Sequence, residues 1–319
     1  MGLISVVIPV YNEEESLPLL YERLVNLTCL IPQYEAEFIF VDDGSRDKTL
    51  SWLTARRAQD RRIKVVSLSR NFGSHAAMRA GLTCAGGDAV ANISGDLQDP
   101  PELIAQMIEK WQQGADIVWG VRAGRDESAG YQWFAGLYYF LMRKLALKEM
   151  PAGGMDLCLM DRRVLQTLLT IPEKNTTIFG LVLWMGYKQV FLPYRREARR
   201  FGSTKWSLDK KIKMVIDSLT SFSVAPIRIW SYLGSGLFLL ASVGSILSLG
   251  AWVAQAAWAW IGLALFIILG VLGLQLVAIG VIGEYVWRTL DESRPRPSYI
   301  IRERIGFDSD KSDGEVSPP

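Results

Sequence analysis

Between Ile229 and Gly283 the chain carries no Asp, Glu, Lys or Arg. A charge-free run of about 55 residues corresponds to roughly 80 Å of helix, enough for two crossings of a hydrocarbon core about 30 Å thick. One core helix of a soluble protein cannot account for it, and a buried helical hairpin accounts for it less well than a membrane does.

The expected crossings run from about Trp230 to Val253 and from about Ile261 to Gly283. "AQAAWAW" (254–260) makes the turn between them, with Trp252, Trp258 and Trp260 placed like an interfacial aromatic belt. Lys210, Lys211, Lys213 and Arg228 precede the pair, and Arg288, Arg294, Arg296, Arg302 and Arg304 follow it. By the positive-inside rule both termini and the whole N-terminal region are expected on the cytoplasmic side of a cell inner (plasma) membrane. Small residues recur four apart in the first crossing: Ser231 and Ser235, Ala241 and Ser245, Gly244 and Ser248, Gly250 and Ala254. That spacing permits close helix contact, within the hairpin or between subunits of a homo-oligomer. Just before the first crossing, Leu208, Ile212, Val215, Leu219 and Phe222 form an apolar stripe at helical spacing. The stripe suits an interfacial helix on the bilayer surface or one packed on the preceding domain.

Lys plus Arg (35) nearly balances Asp plus Glu (33), so nothing points to nucleic acid as a partner. "LISVVIPV" at the N-terminus is too short for a signal segment and reads as a strand. Cys29, Cys84 and Cys158 lack metal-ligand spacing and carry no assigned chemistry.

Ahead of the membrane run, short β-rich segments alternate with amphipathic ones. "ISVVIPV" is followed by "LPLLYERLVNL", "EFIFVDD" by "TLSWLTARRAQ", "IKVVSLS" by "AAMRAGLTCA", "DAVANIS" by "LIAQMIEKW", and then comes "DIVWGV". That alternation predicts βαβ units in a doubly wound α/β domain with a mostly parallel, Rossmann-like sheet. Ligands of such sheets bind beyond the carboxyl ends of the strands. Three of the predicted strands end in acidic loops, "YNEEE", "VDDGS" and "SGDLQDPPE". Each alone could be a turn or a helix cap, as Asp47 is before "KTLSWL", but topology brings all three to one edge.

"VIPVYNEE", "VDDGSRDKT", "RNFGSHAAMRAGL" and "DLQDPPE", in this order and spacing, resemble glycosyltransferase family 2 of the GT-A fold. "GVR", "MDLCLMDRRV", "RRFGSTKWS" and two membrane spans narrow the resemblance to the polyprenyl-phosphate glycosyltransferases, the group of dolichol-phosphate mannose synthase and the bactoprenol glucosyltransferases. It extends to about Pro297. The organisation implied is a GT-A catalytic domain over 1–204, a juxtamembrane amphipathic helix over 205–227, two transmembrane helices over 228–285 and a cytoplasmic tail over 286–319 with a disordered end.

A nucleotide-sugar donor brings a diphosphate whose charge must be neutralised as it leaves, and a hard cation held by oxygens does that. The resemblance therefore implies that Asp96 and Gln98, alternate residues of an extended segment, hold Mg²⁺ or Mn²⁺, while Pro100 and Pro101 start the next helix. The family usually has an acid two residues before Asp96; here Ser94 stands in its place, removing a ligand. Asp99 reads either as an additional contributor or as a helix cap. In the nucleoside pocket, Asp43 or Asp42 is expected to accept from the base, Glu13 from the ribose, and Pro9 and Tyr11 to shape the wall. Gly44 permits a tight turn and Gly73 an approach by phosphate or sugar. His75, the only histidine, reads as a helix-start surface residue in preference to a catalytic one. On the acceptor side Arg122, Arg200, Ser203 and Lys205 are expected to hold a lipid phosphate. The family's further basic residue near 133–136 is replaced by "WFAG". Asp156 is expected near the acceptor, as an orienting group or a base.

These features together predict an inverting enzyme that moves one sugar, glucose by preference, from a UDP-sugar onto undecaprenyl phosphate. A processive polysaccharide synthase fits less well, because "QxxRW" and further spans are missing. The lost acid at Ser94 leaves open a catalytically dead sugar-nucleotide-sensing membrane scaffold.

Overall fold

The computed structural model describes residues 1–123, 154–173, 176–198, 257–294 and 296–307, with isolated positions at 136–151 and 230–243. The chain divides into two units, one of residues 1–213 and 295–319 and the other of residues 214–294.

The first unit is built on an eight-stranded sheet of β1 (Gly2–Val10), β2 (Tyr34–Asp42), β3 (Ile63–Leu68), β4 (Ala89–Asn92), β5 (Ile117–Arg122), β6 (Met155–Asp161), β7 (Gln189–Tyr194) and β8 (Ile301–Ile305), in the order β7-β5-β6-β4-β1-β2-β3-β8. The helices among them are α1 (Leu17–Leu30), α2 (Thr49–Gln59), α3 (Ser74–Cys84), α4 (Leu103–Gln112), α5 (Arg162–Thr170) and α6 (Ile178–Trp184). The central strands are apolar on both faces because helices cover both. Leu17, Leu20, Leu24 and Leu27 of α1 and Leu103, Ile104, Met107 and Ile108 of α4 fill one core with Val6, Ile8, Phe38 and Phe40. On the opposite face α3 packs over β1 and β2, with Gly81 against Val7 and Val41.

The sheet is mixed. β1–β2, β1–β4, β2–β3 and β5–β7 are parallel, whereas β4–β6, β5–β6 and β3–β8 are antiparallel. The periodicity marks β1 to β5 and α1 to α4. It does not mark β6, β7 or β8. β8 lies in the segment that the sequence assigns to the tail, yet it joins the edge of the catalytic sheet, with Val65 opposite Ile305 and Leu68 opposite Ile301. Its polar sequence, "IRERI", suits a partly solvated edge strand.

The second unit contains the 37-residue helix α7 (Ala257–Ser293). Its Gly270–Trp287 window is long and apolar enough to cross a membrane, the only such window among the described residues, and none of it is buried. Large apolar side chains such as Leu276, Ile279 and Val286 are exposed on it. The first predicted crossing, its small-residue pairs, the juxtamembrane helix and Arg200, Ser203 and Lys205 lie outside the described residues.

Candidate active site at the carboxyl edge of the sheet

The loops after β1 and β2 are laced together by short polar groups. Asn12, at φ 50°, donates its N–H to Ser45 Oγ (2.9 Å) and accepts from the Arg46 amide at Oδ1 (2.8 Å). The Glu13 amide donates to Thr49 Oγ1 (2.9 Å), and the Asp43 amide donates to Val10 O (2.9 Å). Asp47, one residue before the N-cap Lys48, accepts the Thr49 amide (3.0 Å) and the Glu14 amide (3.2 Å), and so ties the β1 loop to the start of α2. Ser16 Oγ, buried, stands 2.9 Å from Gly95 O and 3.1 Å from Glu13 Oε2, linking the β1 loop to the β4 loop. Pro9, Tyr11 and Glu13 are half-exposed around this edge.

Asp42 and Asp43 are both buried. Asp43 accepts the Phe72 amide (2.7 Å) and the Gly73 amide (2.9 Å), one on each carboxylate oxygen, and so fastens the loop after β3. Burial pushes its carboxyl up, against the pull of those two amides. Asp42 accepts the Ser45 amide (3.1 Å). A carboxylate oxygen accepts from two directions, so these bonds leave each group able to receive a ligand N–H. Gly44, at φ 70°, lies so close to Arg70 that a Cβ would stand 2.6 Å from its backbone. Gly73, at φ 99°, faces open space at the start of α3. His75, in the first turn of α3, is half-buried: its Nδ1 is buried without a hydrogen-bond partner, its ring meets Phe179 edge-on at 5.8 Å, and burial pulls its pKa down to about 4.

The other half of the edge is charged. Along the β4 loop Ser94, Asp96 and Gln98 are half-exposed while Gly95, Leu97 and Asp99 are buried, but the segment is not extended as expected: Gly95 and Asp96 form a turn and Leu97 sits at φ 61°. Ser94, Asp96 and Gln98 thus keep partial exposure around a turn, not along a strand. Asp96 Oδ1 accepts the Gln98 amide (3.3 Å). Pro100 and Pro101 lead into α4, their carbonyls accepting the amides of Leu103 (3.1 Å) and Ile104 (3.0 Å).

Asp99 does not cap α4. Its Oδ1 accepts from the Tyr194 hydroxyl (2.5 Å) and stands 3.5 Å from Arg196 Nε; its Oδ2 is buried without a hydrogen-bond partner. Burial pushes the Asp99 carboxyl up, with Arg196 and Tyr194 opposing. Burial and then the Asp99 charge push the Tyr194 phenol up, keeping it a donor. Arg122, at the end of β5, forms an ion pair with Asp156, at the start of β6. Buried Asn92 braces that pair, donating Nδ2–H to Asp156 O (2.9 Å) and accepting the Cys158 amide (3.1 Å). The expected site residues Asp96, Gln98, Arg122 and Asp156 thus come to one edge; Asn92, Asp99, Tyr194 and Arg196 are additions. Alternation along "DLQDPPE" could have placed Asp99 on the buried side, but nothing in the sequence pairs it with Tyr194.

The model of glycosyl transferase family 2 matches residues 5–169. An uncharacterized glycosyltransferase of Synechocystis sp. is 40% identical over 311 residues, 96% of each chain. A prophage bactoprenol glucosyl transferase homolog of Escherichia coli is 38% identical over 94% of this chain and 98% of its own. An undecaprenyl-phosphate 4-deoxy-4-formamido-L-arabinose transferase of Photorhabdus laumondii is 36% identical over 95% of this chain and 94% of its own. Among solved structures, glucosyl-3-phosphoglycerate synthase from Mycobacterium tuberculosis in complex with UDP is similar, with a TM-score of 0.48 and 22% identity over 69% of this chain and 79% of that one.

Proposed function

This chain belongs to glycosyl transferase family 2, and we propose that it is a polyprenyl-phosphate glycosyltransferase that moves one sugar, glucose by preference, from a UDP-sugar to undecaprenyl phosphate with inversion. The observation that carries this reading is the division of one sheet edge into a polar-laced pocket at β1–β3 and a charged cluster at β4–β7. The first half suits a nucleoside; the second suits the transfer of a sugar between two phosphates. The relatives named for bactoprenol and undecaprenyl phosphate support the acceptor class.

Asp96 and Gln98, both half-exposed in the β4 loop, offer one carboxylate and one amide oxygen. Among the described residues no group of three or more His, Cys, Asp or Glu could hold a metal ion. Two protein oxygens fit a Mg²⁺ or Mn²⁺ that takes the rest of its shell from water and substrate phosphate. When bound, such an ion would neutralise the leaving diphosphate as a Lewis acid. Arg122, steadied by Asp156, presents guanidinium N–H groups to the acceptor phosphate. An oxygen of that phosphate attacks the anomeric carbon as the bond to UDP breaks. A phosphate monoester has a second pKa of about 6 and is mostly ionised at neutral pH, so no strong base is required. Asp156 then orients Arg122 and the acceptor; it does not take a proton.

Chain connectivity supports a two-span hairpin. Residues before 199 and after 296 belong to the same unit, through β7 and β8. A chain that leaves a domain on one side of a bilayer and returns to it crosses an even number of times, so α7 needs a second crossing between 199 and 256. β7 ends and β8 begins at the carboxyl edge of the sheet, so both connections leave from the edge that carries the site. Radiolabelled UDP-glucose, tested beside other UDP-sugars, should yield a lipid-extractable product with undecaprenyl phosphate; no labelled lipid from any donor would sink the reading. In an Ala256→Cys variant, labelling from the outer face alone is expected, and labelling from the cytoplasmic face would sink the hairpin.

A further inference from the structure

The segment after β7 crosses back onto the β4 loop. Glu197 donates its N–H to Gln98 O (2.9 Å), Tyr194 donates its hydroxyl to Asp99 Oδ1 (2.5 Å), and Arg196 Nε stands 3.5 Å from that same oxygen. The Glu197 carboxylate is held by Arg23 (2.8 Å), which also grips Glu102 (2.7 Å) beside α4. Three residues of one short segment, Tyr194, Arg196 and Glu197, thus clamp a loop about a hundred positions earlier in the chain. The clamped loop needs holding. Leu97, between the two expected ion ligands, is fully buried at φ 61°, a conformation that residues with a Cβ keep only where their surroundings over-determine it. The contacts that do so flank it directly, at Gln98 and Asp99.

We propose that Asp99 and Tyr194 are positioning residues, which fasten the 194–197 segment to the β4 loop and so hold Asp96 and Gln98 where a donor diphosphate and its cation are received. The proposal rests on the function proposed above. Neither residue touches reacting atoms: Asp99 is fully buried, and the Tyr194 hydroxyl is spent on it.

The test uses the full-length protein in detergent, with Tyr194→Phe and Asp99→Asn. UDP affinity is measured by calorimetry with and without Mn²⁺, beside steady-state transfer from UDP-glucose to undecaprenyl phosphate and thermal unfolding. Loss of a group that orients ion ligands typically weakens affinity or activity about 10- to 100-fold. Tyr194→Phe should bind metal-free UDP like the wild type, lose about tenfold in affinity with Mn²⁺, and lose a similar factor in kcat with the lipid KM unchanged. The double variant should be no worse than Asp99→Asn alone, because both act through one contact. Mn²⁺-dependent affinity within about twofold of wild type in both variants would overturn the proposal, given that full losses are about tenfold or more. So would an equal loss with and without Mn²⁺, which is the mark of general unfolding. The UDP arm contains neither sugar nor lipid, so a wild type that transfers nothing would sink the transferase reading and leave this arm to be decided separately.

Discussion

Two buried charged clusters sit at opposite edges of the same sheet, one on β1–β3 and the other at β4–β7, and they are built differently. Toward the amino ends, Glu37 accepts from Ser5 Oγ (2.5 Å), the Gly86 amide (2.7 Å) and Lys64 Nζ (2.6 Å), and Ser5 Oγ accepts the Gly87 amide (2.8 Å). Both carboxylate oxygens are used. At the carboxyl edge, Asp99 Oδ2, Arg122 Nε and Arg196 Nε are buried without hydrogen-bond partners. An unsatisfied buried polar atom costs about 1–3 kcal/mol, a cost that the amino-end cluster avoids and the carboxyl-edge cluster does not. The closed cluster is built for stability; the open one lies where the proposed site is.

The sharpest way to break that comparison is Asp96→Ala, which should lower turnover on the order of 100-fold while leaving thermal unfolding unchanged. Near-normal turnover would remove Asp96 from the site. Next in size is Asp156. Asp156→Ala leaves the buried Arg122 charge without its partner, whereas Asp156→Asn keeps shape and an oxygen, so the Asn variant should retain about tenfold more activity. If both are equally inactive and recover as pH rises, Asp156 is a base and the orienting role fails.

At the amino end the expectation reverses. Glu37→Gln should lower stability by about 2 kcal/mol in chemical denaturation and leave turnover per folded molecule intact. Burial pushes the Glu37 carboxyl up, but Lys64, Ser5 and the Gly86 amide together hold it below its ordinary 4.5. A lowered folded value means that the contribution is present above about pH 4.5 and is lost as pH falls through the folded value. The variant should accordingly lose less stability on acidification than the wild type; an unchanged acid limb would show that Glu37 is not its source. The smallest effect is expected from Ser94→Asp, which adds a carboxylate two residues before Asp96 and should tighten Mn²⁺ binding severalfold. An unmoved Mn²⁺ titration would place position 94 outside the ion's reach.

What could be read along the chain was whatever depends on near neighbours. The period of two in "ISVVIPV" and of three to four in "LPLLYERLVNL" marks β1 and α1 because burial on a strand or helix face repeats locally. Asp96 and Gln98 were legible from the motif "DLQDPPE", although the extended backbone expected there is a turn with Leu97 at φ 61°, and the charge-free run needed only its length. Tertiary structure decided the rest. β6 reads poorly because it enters antiparallel between β4 and β5, outside the βαβ rhythm, and β8 because a polar edge strand acquires its partner, β3, only after the chain has returned from the second unit. Asp99, Tyr194 and Arg196 illustrate the same limit. A hydrogen bond spanning 95 positions leaves no periodic trace, since the meeting of the two segments is set by strand order and not by anything either segment encodes alone.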